Sequence, residues 1–115
     1  MKRKFKGFMQ FGTKRKGEKM LPEFDHAEDG QLVCPSCGFN CLHHDKVEVF
    51  ECTEDATHGV HVTVSDGKAV MDTSLEGNPS ARRHGLSVHF WCEGCDAKPV
   101  LSISQHKGST YMTFE

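Results

Sequence analysis

The 115-residue chain has no run of 18 or more apolar residues, so it offers no candidate transmembrane helix. It has a single Trp and a single Tyr, and only 37% of its residues are hydrophobic. That is a thin supply of core side chains, and a chain this short buries a smaller share of its surface than a large domain does. A metal or another staple is therefore expected to help it fold. No stretch has convincing amphipathic helical spacing, and the βαβ organisation of a thioredoxin-like fold is missing with it. The basic N-terminus lacks the apolar segment of a secretory signal, which places the protein in the cytoplasm. In that reducing compartment the six Cys are expected to be thiolates or metal ligands rather than a disulfide framework.

The net charge of −2 hides a sharp asymmetry. Residues 1–19 carry eight of the 14 basic residues and one of the 16 acidic ones, a charge of +7. The remaining six basic and 15 acidic residues leave the body at −9. Tail and body therefore need separate readings. The tail (1–19) has no sustained periodicity and reads as a disordered, solvated extension. Phe5, Phe8 and Phe11 are interleaved with its cations, a pattern that also suits base stacking beside phosphate contacts. Back-translation of Lys16–Lys19 permits a purine-rich ribosome-binding sequence before Met20, so Met20 is an alternative start. Residues 20–33 form an acidic approach segment with Pro22, Asp25, Glu28, Asp29 and Gly30, and the domain proper spans 34–115.

Within that domain the pattern is β. "KVEVFEC" (46–52) and "GVHVTVS" (59–65) alternate with period two, placing Val60, Val62 and Val64 on one face and His61 and Thr63 on the other. Asp66-Gly67 supplies a two-residue hairpin turn and "KAVMD" (68–72) returns. A turn-rich stretch (73–85) follows, then "LSVHFWC" (86–92). A terminal hairpin comes last, from "PVLSISQH" (99–106), a turn at Lys107-Gly108-Ser109 and "TYMTF" (110–114).

Two Cys-x-x-Cys pairs carry the chemistry, Cys34-Pro-Ser-Cys37-Gly38 and Trp91-Cys92-Glu-Gly-Cys95. Trp before the second pair suggests a dithiol redox centre, but redox activity needs a Cys at a helix N-terminus, where the dipole lowers its pKa. Here Asp96 and Pro99 follow the pair and a strand comes next. Four thiolates are the number a tetrahedral ion takes in a closed structural site, which assigns Cys34, Cys37, Cys92 and Cys95 to one Zn²⁺. Gly38 is placed to adopt the positive φ that frees an N–H for sulfur. The second pair carries its glycine inside, at Gly94, and is the less regular knuckle. Cys41 and Cys52 read as small buried hydrophobes, with a spare-thiol sensor as the alternative.

"CPSCG" with a later "CEGC" resembles a zinc ribbon, although the 54 residues between Cys37 and Cys92 exceed the compact form. The strands at 46–72 are then a β-meander inserted between the knuckles, and the fold class is mostly β, a ribbon with an enlarged antiparallel sheet. From about Cys34 onward the chain also resembles a family of short zinc-ribbon proteins of bacteria, phages and mobile elements. That resemblance rests on "LHH…VEVFE…ED", "GNPS.RR.GL", "FWCEGC" and "QHKG.T". It implies a β-rich zinc fold and attaches no activity.

Eight His invite a catalytic reading, with His43-His44-Asp45 as part of a hydrolytic metal centre and His61, His84, His89 or His106 as acids or bases. Against it, there is no metalloprotease His spacing, nucleophile elbow or phosphate loop. The loop Asn78–Gly85 concentrates Arg82, Arg83 and His84. The planar forks of Arg82 and Arg83 suit phosphate or a partner's carboxylates, or one of them pairs with an acid of the body itself; Lys107 would extend a basic edge. The expectation is a small zinc-stabilised binding module that docks on a nucleic-acid-processing protein or on nucleic acid. Its alternatives are a small zinc hydrolase and a thiol-based sensor, and no small-molecule substrate is expected. A −9 body disfavours generic duplex binding, because such affinity comes largely from cations that displace counterions.

Overall fold

The computed structural model describes residues 19–25, 27 and 29–115. The tail through Glu18, including Phe5, Phe8 and Phe11, lies outside the described residues, as does Glu28 of the approach segment. Six strands make up the regular structure of the described residues: β1 (Leu42–Glu51), β2 (Val60–Ser65), β3 (Lys68–Asp72), β4 (Gly85–Cys92), β5 (Val100–His106) and β6 (Ser109–Phe114). They form one antiparallel sheet in the order β3-β2-β1-β4-β5-β6. The described residues contain no helix. The sheet is two three-stranded meanders, each built from consecutive hairpins, joined where β1 pairs with β4.

Both tight hairpins use the residues their turns require. Asp66 and Gly67 have φ of 52° and 75°, and Lys107 and Gly108 have 51° and 82°, the doubly left-handed conformation that matches strand twist. β1 begins at Leu42, earlier than its alternation suggests. The pairing with β4 shifts between His44 and Lys46, so Asp45 is an extra residue that breaks the period of two.

Register sorts the side chains onto two unlike faces. On one, Val47 lies between Val64 and Val88, and Val49 between Val62 and Leu86; Leu101 opposes Phe114 and Ile103 opposes Met112. The row Val64–Val47–Val88–Leu101–Phe114 is buried at its β5–β6 side, where Phe114 is fully buried and Leu101 is 8% exposed, but open at β2, where Val64 is 46% exposed; in the next row Met112 is 41% and Met71 70% exposed. The other face carries Phe50 with Glu48, His61, Ser87, His89 and Ser102. Here Phe50, 1% exposed, stacks on His61 at 4.4 Å and lies beneath Gly77 of the long β3–β4 connection. Burial of that ring stabilises the fold by about 1.5–3 kcal/mol.

The approach segment is hydrogen-bonded to the sheet. Met20 and Phe114 exchange two backbone bonds of 2.9 and 2.7 Å, and Phe24 pairs with Leu32 in a short bridge. The Val33 N–H donates to Glu23 O at 3.0 Å, and Val33 itself is 1% exposed. The described part of the segment thus starts at the end of β6, through Met20, and folds on itself through Phe24–Leu32 and Glu23–Val33 just before Cys34.

Candidate metal centre

The first knuckle is a tight turn. Cys34 N–H donates to Phe39 O and Gly38 N–H to Cys34 O, both at 2.8 Å. Gly38 takes φ of 81°, the left-handed value its position after the second Cys requires. The second knuckle continues from β4, which ends at Cys92. Glu93 N–H donates to Cys41 O at 3.1 Å, tying this knuckle to the start of β1. Gly94 serves a different purpose from Gly38: a Cβ there would stand 2.8 Å from Cγ of Phe39. The glycine is needed for space, so that the aromatic residue of one knuckle can lie across the backbone of the other.

These turns bring Cys34, Cys37, Cys92 and Cys95 together with all four sulfurs within 4.8 Å of one another. Across the knuckles, Cys34 Sγ is 3.9 Å from Cys95 Sγ and Cys37 Sγ is 3.6 Å from Cys92 Sγ. A tetrahedron with metal–sulfur bonds of about 2.3 Å has edges of about 3.8 Å. The four cysteines therefore fit a metal ion as they stand. Each sulfur also meets a backbone N–H two residues on: Ser36 to Cys34 at 3.4 Å, Gly94 to Cys92 at 3.3 Å, Ala97 to Cys95 at 3.5 Å, and Phe39 to Cys37. Such donors stabilise thiolates. With every corner a protein sulfur, the set leaves no coordination position for a reactive water.

Crowding four thiols away from water has an electrostatic consequence. Burial pushes the Cys34 thiol up to about 11, and burial with the neighbouring Cys34 pushes Cys37 higher still. Burial also opposes the Cys92 thiolate, but the Gly94 N–H and the thiols of Cys37, Cys34 and Cys95 outweigh it and hold this group below its ordinary value. Without a cation, one thiolate in the cluster is favoured at its neighbours' expense. A divalent ion removes that conflict.

No family model, curated protein or solved structure matches the chain. Function must therefore be read from the sites.

Trp91 is a β4 residue whose ring stacks on His43 at 4.4 Å, beside the metal knuckle; His43 in turn pairs with Glu93. Cys92 and Cys95 lie at the end of β4, and no helix of the described residues starts there to lower their pKa through its dipole. Cys52 is buried, its Sγ directed at the carbonyls of Thr53 and Arg82. Cys41 is half-buried, and its Sγ is 3.6 Å from Asn40 Oδ1.

The loop with Arg82, Arg83 and His84 is held from several sides. Arg82 forks onto Asp55, with Nε at 2.7 Å and Nη2 at 3.0 Å, and reaches Glu54 at 2.9 Å; Arg83 meets Glu54 at 3.2 Å. Of the two readings of these guanidinium groups, pairing with acids of the body is the observed geometry. His84 Nδ1 accepts the Cys52 N–H at 3.0 Å. Ser80 Oγ donates to Gln105 O at 2.8 Å, and Asn78 accepts from Ser80 N–H while donating to Arg83 O. Lys107 stays exposed in its turn, two residues beyond Gln105, whose N–H donates to His84 O.

Among the described residues the four cysteines are the one group close enough to share an ion; His43, His44 and Asp45 do not form a second. Two of the histidines, His61 and His89, flank Glu48 instead. Its carboxylate has His61 Nε2 at 3.7 Å, His89 Nε2 at 3.8 Å and Lys46 Nζ at 3.5 Å, and Asp72 accepts from the other nitrogen of His61 at 2.9 Å. Sequence patterning placed His61 on the face opposite the valines, and the register of β4 puts His89 there too. Glu48 was the signal it missed: in "VEVFE" it occupies that same face, diagonal to both.

Proposed function

We propose that this chain is a binding module whose four cysteines hold one structural zinc ion and whose function is docking, onto a protein of nucleic-acid processing in preference to nucleic acid itself. The observation that carries the reading is the pairing of a closed sulfur set with an open apolar sheet face. Four thiolates suit Zn²⁺, a borderline-soft d¹⁰ ion with no geometric demand beyond the tetrahedron. The ion ties the first knuckle to the end of β4 and supplies the staple that a small core lacks. Val49, Val64, Met71 and Met112, each more than a third exposed, leave an apolar surface of the kind that marks interaction sites. The arginine forks are engaged by Glu54 and Asp55, and the body is acidic, so a protein surface suits it better than a phosphate backbone.

A nucleic-acid role has one supporting feature, the +7 tail. The test is affinity purification from the native host with three baits: the parent chain, a Val49→Lys/Val64→Lys variant and an Arg82→Ala/Arg83→Ala variant. A partner lost only with the face variant supports the reading, and loss only with the arginine variant moves docking to the loop. Salt-dependent nucleic-acid binding that vanishes on deletion of residues 1–19 would replace it. Metal analysis must return one zinc per chain.

A further inference from the structure

β3 forms one edge of the sheet, and all five of its residues are exposed, Val70 to 57% and Met71 to 70%. Sheet edges are ordinarily blunted by short length, lysine and other charges, proline or bulges, because their free N–H and C=O groups template pairing with another chain. "KAVMD" has no proline, and its pairing with β2 is regular over all five residues. Its two charges lie at its ends and are opposite in sign.

The hairpin fixes which groups face outward. Asp66-Gly67 is a two-residue turn, which makes Ser65 and Lys68 a hydrogen-bonded pair; alternation makes Thr63–Val70 and His61–Asp72 the next two. The backbone groups of Lys68, Val70 and Asp72 are therefore directed to β2. Those of Ala69 and Met71 point away from the sheet.

We propose that β3 pairs with β3 of a second copy of this chain, antiparallel about a two-fold axis through Val70, to give a continuous twelve-stranded sheet. In an antiparallel register only outward-facing residues can exchange hydrogen bonds. The register centred on Val70 sets Ala69 opposite Met71 of the second copy, and Met71 opposite its Ala69, so all four outward N–H and C=O pairs are used. Registers centred one residue to either side use half as many. The same register sets Lys68 opposite Asp72 of the second copy, twice over by symmetry, on one face of the sheet. It sets Ala69 against Met71 on the other. Hydrogen bonding, charge and face thus select one alignment, and each contact occurs on both copies, as a two-fold interface requires. The inference rests on β3 alone and is independent of the metal and of the docking partner. It also carries the apolar face across both subunits.

Val70 meets its own copy as a non-hydrogen-bonded pair with Cα atoms about 4.5 Å apart, within the range of a disulfide, about 4.4–6.8 Å. The experiment uses the full, metal-loaded chain. Sedimentation is expected to show a monomer–dimer equilibrium, and Val70→Cys under oxidised glutathione is expected to give a covalent dimer that the parent chain does not. Ala69→Cys, whose copies sit diagonally, is expected to link at a small fraction of that rate. Lys68→Glu opposes Glu to Asp72 and weakens self-association tenfold or more. Asp72→Lys does the same, and mixing the two variants restores a heterodimer. A chain that remains monomeric at millimolar concentration overturns the proposal. So does a dimer indifferent to Lys68→Glu, or cross-linking at position 69 as fast as at 70.

Discussion

Phe39 of the first knuckle lies against Gly94 of the second, with the space for a Cβ on Gly94 already occupied by the Phe39 ring and its Cβ at 2.8–3.0 Å. The contact is with the root of an aromatic side chain rather than a flexible tip, so it cannot yield without moving a knuckle. Gly94→Ala is expected to cost about 1–3 kcal/mol, the range for overpacking, and to weaken metal binding at least tenfold in chelator competition. Phe39→Ala added to Gly94→Ala is expected to recover part of the lost affinity, which a glycine needed for left-handed φ would not show.

Metal uptake is expected to release protons. Cys34, pushed up to about 11 by burial, and Cys37, pushed higher, are thiols at neutral pH until an ion displaces their protons. Affinity therefore rises with pH and falls on acidification. Titration calorimetry in two buffers of different ionisation enthalpy measures the protons released per ion; a value of zero would mean that the thiolates are preformed. Cys34→Ser is expected to lose the ion and the cooperative unfolding transition together.

His89 contributes a second pH dependence. Burial first, then the charge of Lys46, holds its imidazole below the usual 6.5, against weaker opposite pulls from Glu48 and Asp45. Its Nε2 is buried without a hydrogen-bond partner. The unfolded chain binds the proton more readily than the folded one, so this term is fully present above pH 6.5 and is lost as pH falls below it. His89→Gln is expected to flatten the decline in stability on the acid side of 6.5 relative to the parent, measured by urea unfolding at fixed zinc. An unchanged slope would place the acid sensitivity in the thiolates alone.

Phe50 anchors the covered face. Phe50→Ala is expected to destabilise the protein by about 3–5 kcal/mol, because the ring is 1% exposed between His61 and Gly77. Denaturant midpoints measure the loss.

Arg82→Ala is expected to act locally. Its partners Asp55 and Glu54 are more than half exposed, and exposed pairs contribute little to global stability. The expected readout is faster proteolysis within 53–57 with the thermal midpoint little changed. A large fall in the midpoint would show that this clamp holds the β3–β4 connection in place.

The cysteine set, the Asp66-Gly67 turn and the alternation in β2–β6 were legible in the sequence, because each is a local rule: spacing, turn chemistry and a period of two. The second turn is one residue tighter than its sequence suggests, since Ser109 already pairs with His106. Four features were not legible. The start of β1 is masked by the bulge at Asp45, which shifts its register by one. The fit of Phe39 onto Gly94 joins residues 55 positions apart, and nothing local distinguishes a glycine kept for space from one kept for φ. The pairing of Arg82 with Asp55 was one of two open readings, since a sequence states which charges exist but not which are neighbours. Glu48 between His61 and His89 needs the registers of two strand pairs at once.

The joint between β1 and β4 also bears on the order in which the chain folds. Each meander closes through hairpins of adjacent strands, whereas pairing Leu42 with Cys92 must close a loop of some 50 residues. The entropy of such a closure is lost before any contact compensates for it. An ion gripping Cys34 and Cys37 on one side and Cys92 and Cys95 on the other holds that joint at its open end. A metal ion bound there is expected to act as a kinetic clasp as well as a thermodynamic one: refolding accelerates with metal present from the start, and stalls at two separately formed meanders without it.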